Sequence, residues 1–155
     1  MQSPEEDLSG KDVAVFIEPY GSFRGIRRVE GILGSLQGEL RVCDPYIDNR
    51  TLDFLGECIS ADSIRLLTAN VFKESKSRRD LKAFNAQHVY LLEVRVAVPS
   101  VLHDRYIAHS SGLLVIGTSL NSLGAKETFV ISLGEDVRHS LIASFDRSWS
   151  RASCY

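Results

Sequence analysis

Leu102-His103-Asp104-Arg105-Tyr106-Ile107 is followed by a Ser-Gly turn and by Leu113-Leu114-Val115-Ile116, a pattern that predicts a β-hairpin. Side chains alternate between the two faces of a strand. A strand over 101–109 therefore places His103 and Arg105 on one face, roughly 7 Å apart at their backbones. An imidazole beside a permanent cation has the chemistry needed to attack a phosphate group and to hold it.

Polar residues follow the second strand of this hairpin. Gly117-Thr118-Ser119-Leu120-Asn121 leaves the strand, and Lys126 comes shortly after it. We expect the backbone N–H groups and small hydroxyls at this exit to meet the same phosphate. His109 shares the predicted face of His103 but lies near the turn, so it is a second candidate for the pocket.

The hairpin residues resemble one copy of the signature of the phospholipase D superfamily. That signature is a His, any residue, a Lys, four residues, an Asp, and then a Gly-Ser-any-Asn segment, and His103 and Gly117 stand at matching positions. Arg105 stands at the Lys, Ser110 stands at the Asp, and the last segment is one residue longer. The His-Asp-Arg form, followed by Gly-x-Ser-Leu and a Lys, is closer to divergent bacterial phospholipase D-like domains.

The resemblance implies a metal-independent, nuclease-like phosphodiesterase that needs no cofactor. In the family the His attacks phosphorus to form a phosphohistidine, and a second His protonates the leaving oxygen. This chain has one such motif, so the resemblance implies a homodimer in which two copies of His103 face each other across a two-fold axis. Nucleic acid is favoured over phospholipid as the substrate. The expected phosphate ligands are Arg105, Ser119, Asn121 and Lys126.

Two other functions stay open. Ser110 replaces a carboxylate that supports the His in the family, and Arg105 replaces the Lys. The chain is therefore also interpreted as an inactive module that binds nucleic acid, phospholipid headgroups or a protein partner, alone or within a larger protein. The third option is a metal-dependent hydrolase. Its ligands would be His103, Asp104, Asp44 and Asp48, but Asp104 faces away from His103 on an ordinary strand, so no metal site is predicted.

Basic residues cluster in one further segment, at Lys73, Lys76, Arg78, Arg79 and Lys82. Such a run can bind a nucleic-acid backbone, but it is more often the solvated face of a helix. No aromatic residues are interleaved with it, so the sequence does not predict a dedicated single-strand binder.

The rest of the chain alternates between short apolar runs and helical spacing. Strands are predicted at 13–17, 40–43, 64–68, 90–98 and 129–133, and helices at 26–36, 52–59, 75–87 and 135–149. This order predicts an α/β fold with a mixed sheet flanked by helices on both faces, as in the phospholipase D-like fold. The loop after the second strand is interpreted as a plain turn, with Asp44 and Tyr46 as further pocket candidates.

Composition limits the remaining possibilities. The chain has 155 residues, 44% of them hydrophobic, which suffices for one domain over 12–155 behind a polar lead-in or linker at 1–11. A net charge of −2 gives no general attraction to nucleic acid or to anionic membranes. The three cysteines are not closely spaced, which indicates free thiols in the cytoplasm. No signal peptide or transmembrane segment is predicted.

Overall fold

The computed structural model describes residues 13–17, 23–123 and 126–155, so the predicted lead-in at 1–11 lies outside it. The strands of the described residues are β1 (Val13–Ile17), β2 (Gly38–Cys43), β3 (Tyr46–Ile47), β4 (Ala61–Thr68), β5 (Asn70–Val71), β6 (Leu91–Val96), β7 (Tyr106–His109), β8 (Gly112–Ile116), β9 (Thr128–Leu133) and β10 (Ser153–Cys154). The helices are α1 (Phe23–Ser35), α2 (Asn49–Leu55), α3 (Glu74–Gln87) and α4 (Glu135–Arg151), with short 3₁₀ turns at Pro99–Val101 and Leu120–Ser122.

A mixed sheet of eight strands forms the centre of the fold, in the order β1-β9-β8-β7-β2-β4-β6-β10. β2, β4 and β6 are parallel, and helices α2 and α3 lie in the connections between them. β7 returns antiparallel to β2, and β8, β9 and β1 continue antiparallel from there. β3 and β5 form a separate parallel pair just after the carboxyl ends of β2 and β4.

Helices cover both faces of this sheet, as predicted. The period of two along each strand sends alternate side chains to opposite faces, so two hydrophobic clusters form. The cluster that includes α1, α2 and α3 contains Val29, Leu33, Val42, Leu55, Phe84, Ile107 and Leu114. The cluster that includes α4 contains Cys43, Leu67, Tyr106, Ala108, Phe145 and Trp149. Burying each large apolar side chain contributes about 1.5–3 kcal/mol.

The predicted strand over 101–109 is wrong in its first half. Pro99 starts a 3₁₀ turn, residues 102–105 form a loop, and β7 begins only at Tyr106. The reason is that β2 ends opposite Tyr106, at Cys43, so the earlier residues have no neighbouring strand on that side to pair with. His103 and Arg105 are therefore placed by a loop and not by strand alternation.

Helix α2 is also shorter than predicted, because it ends at Leu55 and Ile59 is exposed beyond it. Asp48 caps its first turn: the carboxylate accepts a hydrogen bond from the Arg50 N–H at 2.8 Å, and the Thr51 hydroxyl completes a capping box. Among the helices of the described residues, none combines the length and apolar composition that a bilayer-spanning segment requires.

Candidate functional site

Loops at one edge of the sheet bring together most of the predicted site residues. β2 ends at this edge at Cys43, and β7, being antiparallel to β2, begins there at Tyr106. The loop before β7 carries His103 and Arg105, and β8, antiparallel to β7, ends at the same edge. The Arg105 carbonyl accepts a hydrogen bond from the Ile116 N–H at 2.9 Å, which joins the two loops at their bases.

Asp44 is the centre of the hydrogen-bond network at this edge, with only 1% of its surface exposed. Its Oδ1 accepts from the Tyr46 N–H at 3.1 Å, and its Oδ2 accepts from the Leu120 N–H at 2.7 Å. Arg105 Nε lies 3.9 Å from Oδ1, and the Ser119 hydroxyl also contacts the carboxylate. Burial raises the pKa of Asp44 above its ordinary value, although these donors and Arg105 oppose the shift.

Arg105 is held by one nitrogen of its guanidinium. Nε donates to Ser119 Oγ at 2.9 Å and is also the atom nearest to Asp44. Within the described ranges, its two terminal nitrogens have no hydrogen-bond or ion-pair partner. The guanidinium carbon lies 5.8 Å from the centre of the Tyr46 ring, within the range of a cation–π contact. The terminal fork is thus positioned and available for a bidentate anion.

His103 lies two residues before Arg105 and is exposed. Among the residues that the structure describes, its ring has no hydrogen-bond partner, so no neighbour fixes its tautomer. The adjacent Leu102 is buried in the cluster that contains α4, which ties this loop to the sheet. His103 is therefore an exposed side chain on the loop that carries Arg105.

The exit from β8 needs a glycine. A Cβ on Gly117 would lie 2.5 Å from Thr128 Oγ1, so no other residue fits without a shift. Farther along, Asn121 is half-buried and its Oδ1 accepts from the Ser122 hydroxyl at 3.2 Å. Lys126 is exposed. Of the predicted phosphate ligands beyond Arg105, Ser119 is the one in direct contact with that side chain.

His109 lies at the other end of β7, about 14 Å along the strand from Arg105. It is buried near the β7–β8 turn, and its carbonyl accepts a hydrogen bond from the Arg138 side chain. Burial lowers the pKa of its imidazole. The predicted place of His109 in the pocket is therefore corrected. Ser110 follows it in the same turn, too far from His103 for a carboxylate at this position to support that ring directly.

The residues of the metal option are not gathered into a metal site. Asp48 is engaged by its helix cap and by the Arg50 guanidinium at 2.9 Å. The hydrogen bonds and charge of Arg50 lower the pKa of Asp48, against the opposing effect of partial burial. The described part of the chain contains no group of three His, Cys, Asp or Glu side chains placed to hold a metal ion.

Sequence reasoning did not single out Phe72, which lies beside this site. Its ring and that of Tyr46 are nearly parallel, at 15°, with centroids 6.2 Å apart. Parallel pairing of β3 with β5 brings the two together from separate parts of the chain. The available signal was position, since each ring follows one of two neighbouring parallel strands, β2 and β4, whose carboxyl ends meet at one edge.

Comparisons with known proteins show which solved structures have a similar fold. No family model matches the sequence, and no curated protein matches it. Nuc from Salmonella typhimurium, a phospholipase D family member, has a similar structure at 12% identity, with a TM-score of 0.65 over 94% of this chain and 99% of Nuc. NucT from Helicobacter pylori is similar at 5% identity, with a TM-score of 0.62 over 94% of this chain and 99% of NucT.

A third similar structure is TrmBL2, an archaeal chromatin protein whose solved structure shows a novel mode of DNA binding. It is 12% identical, with a TM-score of 0.59 over 92% of this chain, and the match spans 54% of TrmBL2. At such low sequence identities, the similarity lies in the path of the backbone. The match covers nearly all of Nuc, so it extends over the whole architecture. The described chain therefore has the phospholipase D-like fold.

Proposed function

We propose that the chain is a metal-independent, nuclease-like phosphodiesterase in which His103 is the nucleophile and Arg105 holds the phosphate. The observation that carries this proposal is the state of Arg105: its Nε is fixed by Ser119, while its terminal nitrogens have no partner in the described residues. His103 is exposed on the same loop, two residues away. The phospholipase D-like fold supports the same chemistry.

Asp44 supports the proposal as a positioning residue. It orders the backbone of Tyr46 and Leu120 and approaches Arg105 from the Nε side, away from the terminal fork. A guanidinium fixed in this way loses little conformational freedom when it binds a phosphate. Positioned charge of this kind stabilises the negative charge that develops on the non-bridging oxygens as phosphorus is attacked.

The reaction proceeds in two displacements. A ring nitrogen of His103 attacks phosphorus, a P–N bond forms, and the P–O bond to the leaving alcohol breaks. A general acid gives its proton to the leaving oxygen. The same group, now a base, removes a proton from water, whose oxygen attacks phosphorus. The P–N bond then breaks, a phosphomonoester leaves, and His103 is regenerated.

The general acid is assigned to His103 of the partner subunit. The chain carries one His-Asp-Arg motif, so a two-fold axis near this loop supplies the second imidazole. The proposed particle is a homodimer, and light scattering should give twice the chain mass of 17.2 kDa.

A second function is favoured by two observations. The buried Asp44 carboxylate lies 3.9 Å from Arg105 and offsets part of its charge, and the His103 ring has no orienting partner among the described residues. Both features suit a module that binds phosphate without turning it over. The DNA binding reported for TrmBL2 is consistent with such a module on the same fold.

The test is hydrolysis of bis(p-nitrophenyl) phosphate in excess chelator by the parent and by His103→Ala. His139→Ala is the matched control, because His139 is an exposed histidine on α4. We expect chelator-resistant activity in the parent and in the control, and none in His103→Ala. Equal activity in all three proteins would remove His103 from the mechanism. An inactive parent that binds phosphodiesters would establish the binding module instead.

A further inference from the structure

The rings of Tyr46 and Phe72 form a partly exposed aromatic surface next to the phosphate pocket. Their residues are 44% and 51% exposed, and their rings are nearly parallel. The Arg105 guanidinium lies over the Tyr46 ring, with its carbon 5.8 Å from the ring centre. Aromatic faces and a phosphate-binding cation are thus adjacent at one edge of the sheet.

We propose that Tyr46 and Phe72 are a stacking platform for unpaired nucleobases, so that the ligand of this site is single-stranded nucleic acid. The inference rests on the proposed function, because it takes Arg105 as the group that holds the adjoining phosphate. Every base has a π-face, so stacking of this kind tolerates any sequence. The platform therefore distinguishes single-stranded from double-stranded nucleic acid, but it does not distinguish one base from another.

The backbone that carries the two rings is hydrogen-bonded before any ligand binds. The Tyr46 N–H donates to Asp44 Oδ1 at 3.1 Å, and the Phe72 N–H donates to the Ile47 carbonyl at 2.9 Å. The Phe72 carbonyl accepts from the buried Ser77 hydroxyl at 3.0 Å. Both backbones are therefore held by hydrogen bonds. Little backbone ordering remains to oppose ligand stacking.

Lysine residues follow the platform in the sequence. Lys73 follows Phe72 directly, is exposed, and adopts the left-handed backbone conformation at φ 51° just before α3. Lys76 and Lys82 are exposed on α3 itself. Phosphates on either side of a stacked base carry one negative charge each, so these lysines suit the backbone of a strand that starts at Arg105. Lys73 therefore adds a positive charge directly beside the platform, and α3 carries further exposed lysines beyond it.

Single-stranded and double-stranded nucleic acids differ in the surface that they can present to an aromatic ring. Bases in a duplex already stack on their neighbours and present only their edges in the grooves, whereas a single strand can turn a base onto a protein ring. A phospholipid requires a continuous apolar surface for its chains. Here two rings lie between Arg105, Asp44 and Lys73, so the surroundings are charged.

The experiment is fluorescence anisotropy with labelled oligothymidylate and with a duplex of equal length. All proteins carry His103→Ala, so that cleavage cannot consume the probe. Tyr46→Ala and Phe72→Ala should each weaken binding to the single strand by about 5- to 150-fold, the range measured for one base–aromatic stack. Tyr46→Phe keeps the ring and should bind as the His103→Ala parent does.

The matched control is Phe16→Leu. Phe16 is 46% exposed and belongs to another aromatic pair, with Phe129, but it lies on β1, four strands away from β2 across the sheet. We expect no change in affinity for this variant. Arg105→Ala should weaken binding to both the single strand and the duplex, because it removes the phosphate contact common to both.

The outcomes separate this inference from the proposed function. Single-strand binding that is unaffected by Tyr46→Ala and Phe72→Ala, yet weakened by Arg105→Ala, overturns the platform and leaves the phosphate pocket. Equal affinity for strand and duplex also overturns it. Binding to phosphatidylserine vesicles without binding to oligonucleotide replaces nucleic acid with a membrane surface. No oligonucleotide binding by the His103→Ala protein, together with no hydrolysis of bis(p-nitrophenyl) phosphate by the unsubstituted protein, contradicts the proposed function as well.

Discussion

Asp44 Oδ1 and Arg105 Nε lie 3.9 Å apart, and Asp44 is almost fully buried while the Arg105 side chain is 27% exposed. The carboxylate thus lies behind the guanidinium, on the protein side, and the terminal nitrogens remain on the solvent side. The same carboxylate accepts N–H donors from the turn after β2 and from the loop after β8. One buried charge therefore organises three loops around the site.

Asp44→Asn should destabilise the fold by about 1–3 kcal/mol, because the amide replaces one acceptor oxygen with a donor that faces a backbone N–H. Urea unfolding gives the free energy directly. Asp53→Asn is the control, since Asp53 is exposed on α2 and its replacement should change stability by less than about 0.5 kcal/mol. Equal stability of the two variants would show that Asp44 does not organise the loops.

Gly117→Ala should cost about 1–3 kcal/mol, because the added methyl would lie 2.5 Å from Thr128 Oγ1. The double variant Gly117→Ala with Thr128→Ala removes the clashing oxygen. It should therefore be more stable than the sum of the two single effects predicts, and a thermodynamic cycle from urea unfolding measures this coupling. Strict additivity would mean that the contact with Thr128 is not what excludes a side chain at this position.

Acid sensitivity should arise in part from His109. Burial lowers the pKa of this imidazole in the folded state below its ordinary value of 6.5, so the unfolded chain binds more protons as the pH falls through that value. Stability is therefore lost below about pH 6.5, by up to about 1.4 kcal/mol per pH unit. His109→Asn should flatten this dependence when unfolding is compared at about pH 7.5 and about pH 5.5.

His139→Asn is the control for this titration, because His139 is exposed on α4 and its replacement should keep the acid sensitivity of the parent. An unchanged pH dependence in His109→Asn would contradict the assignment to the buried ring.

The three cysteines should differ in reactivity. Cys43 and Cys58 are buried, and burial raises the pKa of each thiol to about 12, so neither forms the reactive thiolate at neutral pH. Cys154 is exposed on β10. Titration of the native protein with Ellman's reagent should give one fast thiol, and three after denaturation. Fast reaction of more than one thiol in the native protein would contradict the packing of β2 or of the turn after α2.

The hydrophobic periodicity predicted the longer helices and strands well, because each of them buries one face and this face is visible in its own sequence. The spacing of Val29 and Leu33 in α1, and of Phe145 and Trp149 in α4, follows directly from one buried helix face. The short strands β3, β5 and β10 have two residues each, and pairing with distant segments creates them. A strand of two residues is too short to show an alternating pattern of apolar and polar side chains, so the sequence did not predict these strands.

The candidate site was predicted in part. The structure brings Arg105 and Ser119 together beside Asp44, with His103 on the loop that carries Arg105, and it separates His109 from them. The hairpin pattern predicted a strand over 101–109, whereas β7 begins only at Tyr106. The length of β7 depends instead on where β2 ends.

The aromatic platform left only a positional signal in the sequence, for a related reason. No aromatic residue is interleaved with the basic segment of α3, and that observation about the sequence is correct. Tyr46 and Phe72 become neighbours only through the parallel pairing of β3 with β5. Side chains from separate segments can form one surface without leaving a pattern in either segment.

The proposed reaction requires a covalent bond between His103 and phosphorus, and the adduct can be trapped. The protein is mixed with bis(p-nitrophenyl) phosphate, quenched at alkaline pH, where phosphohistidine persists, and digested for peptide mass spectrometry. We expect a p-nitrophenyl phosphoryl group on the peptide that contains His103, and no such group in His103→Ala. Turnover without that adduct, or an adduct on another residue, would show that His103 is not the nucleophile.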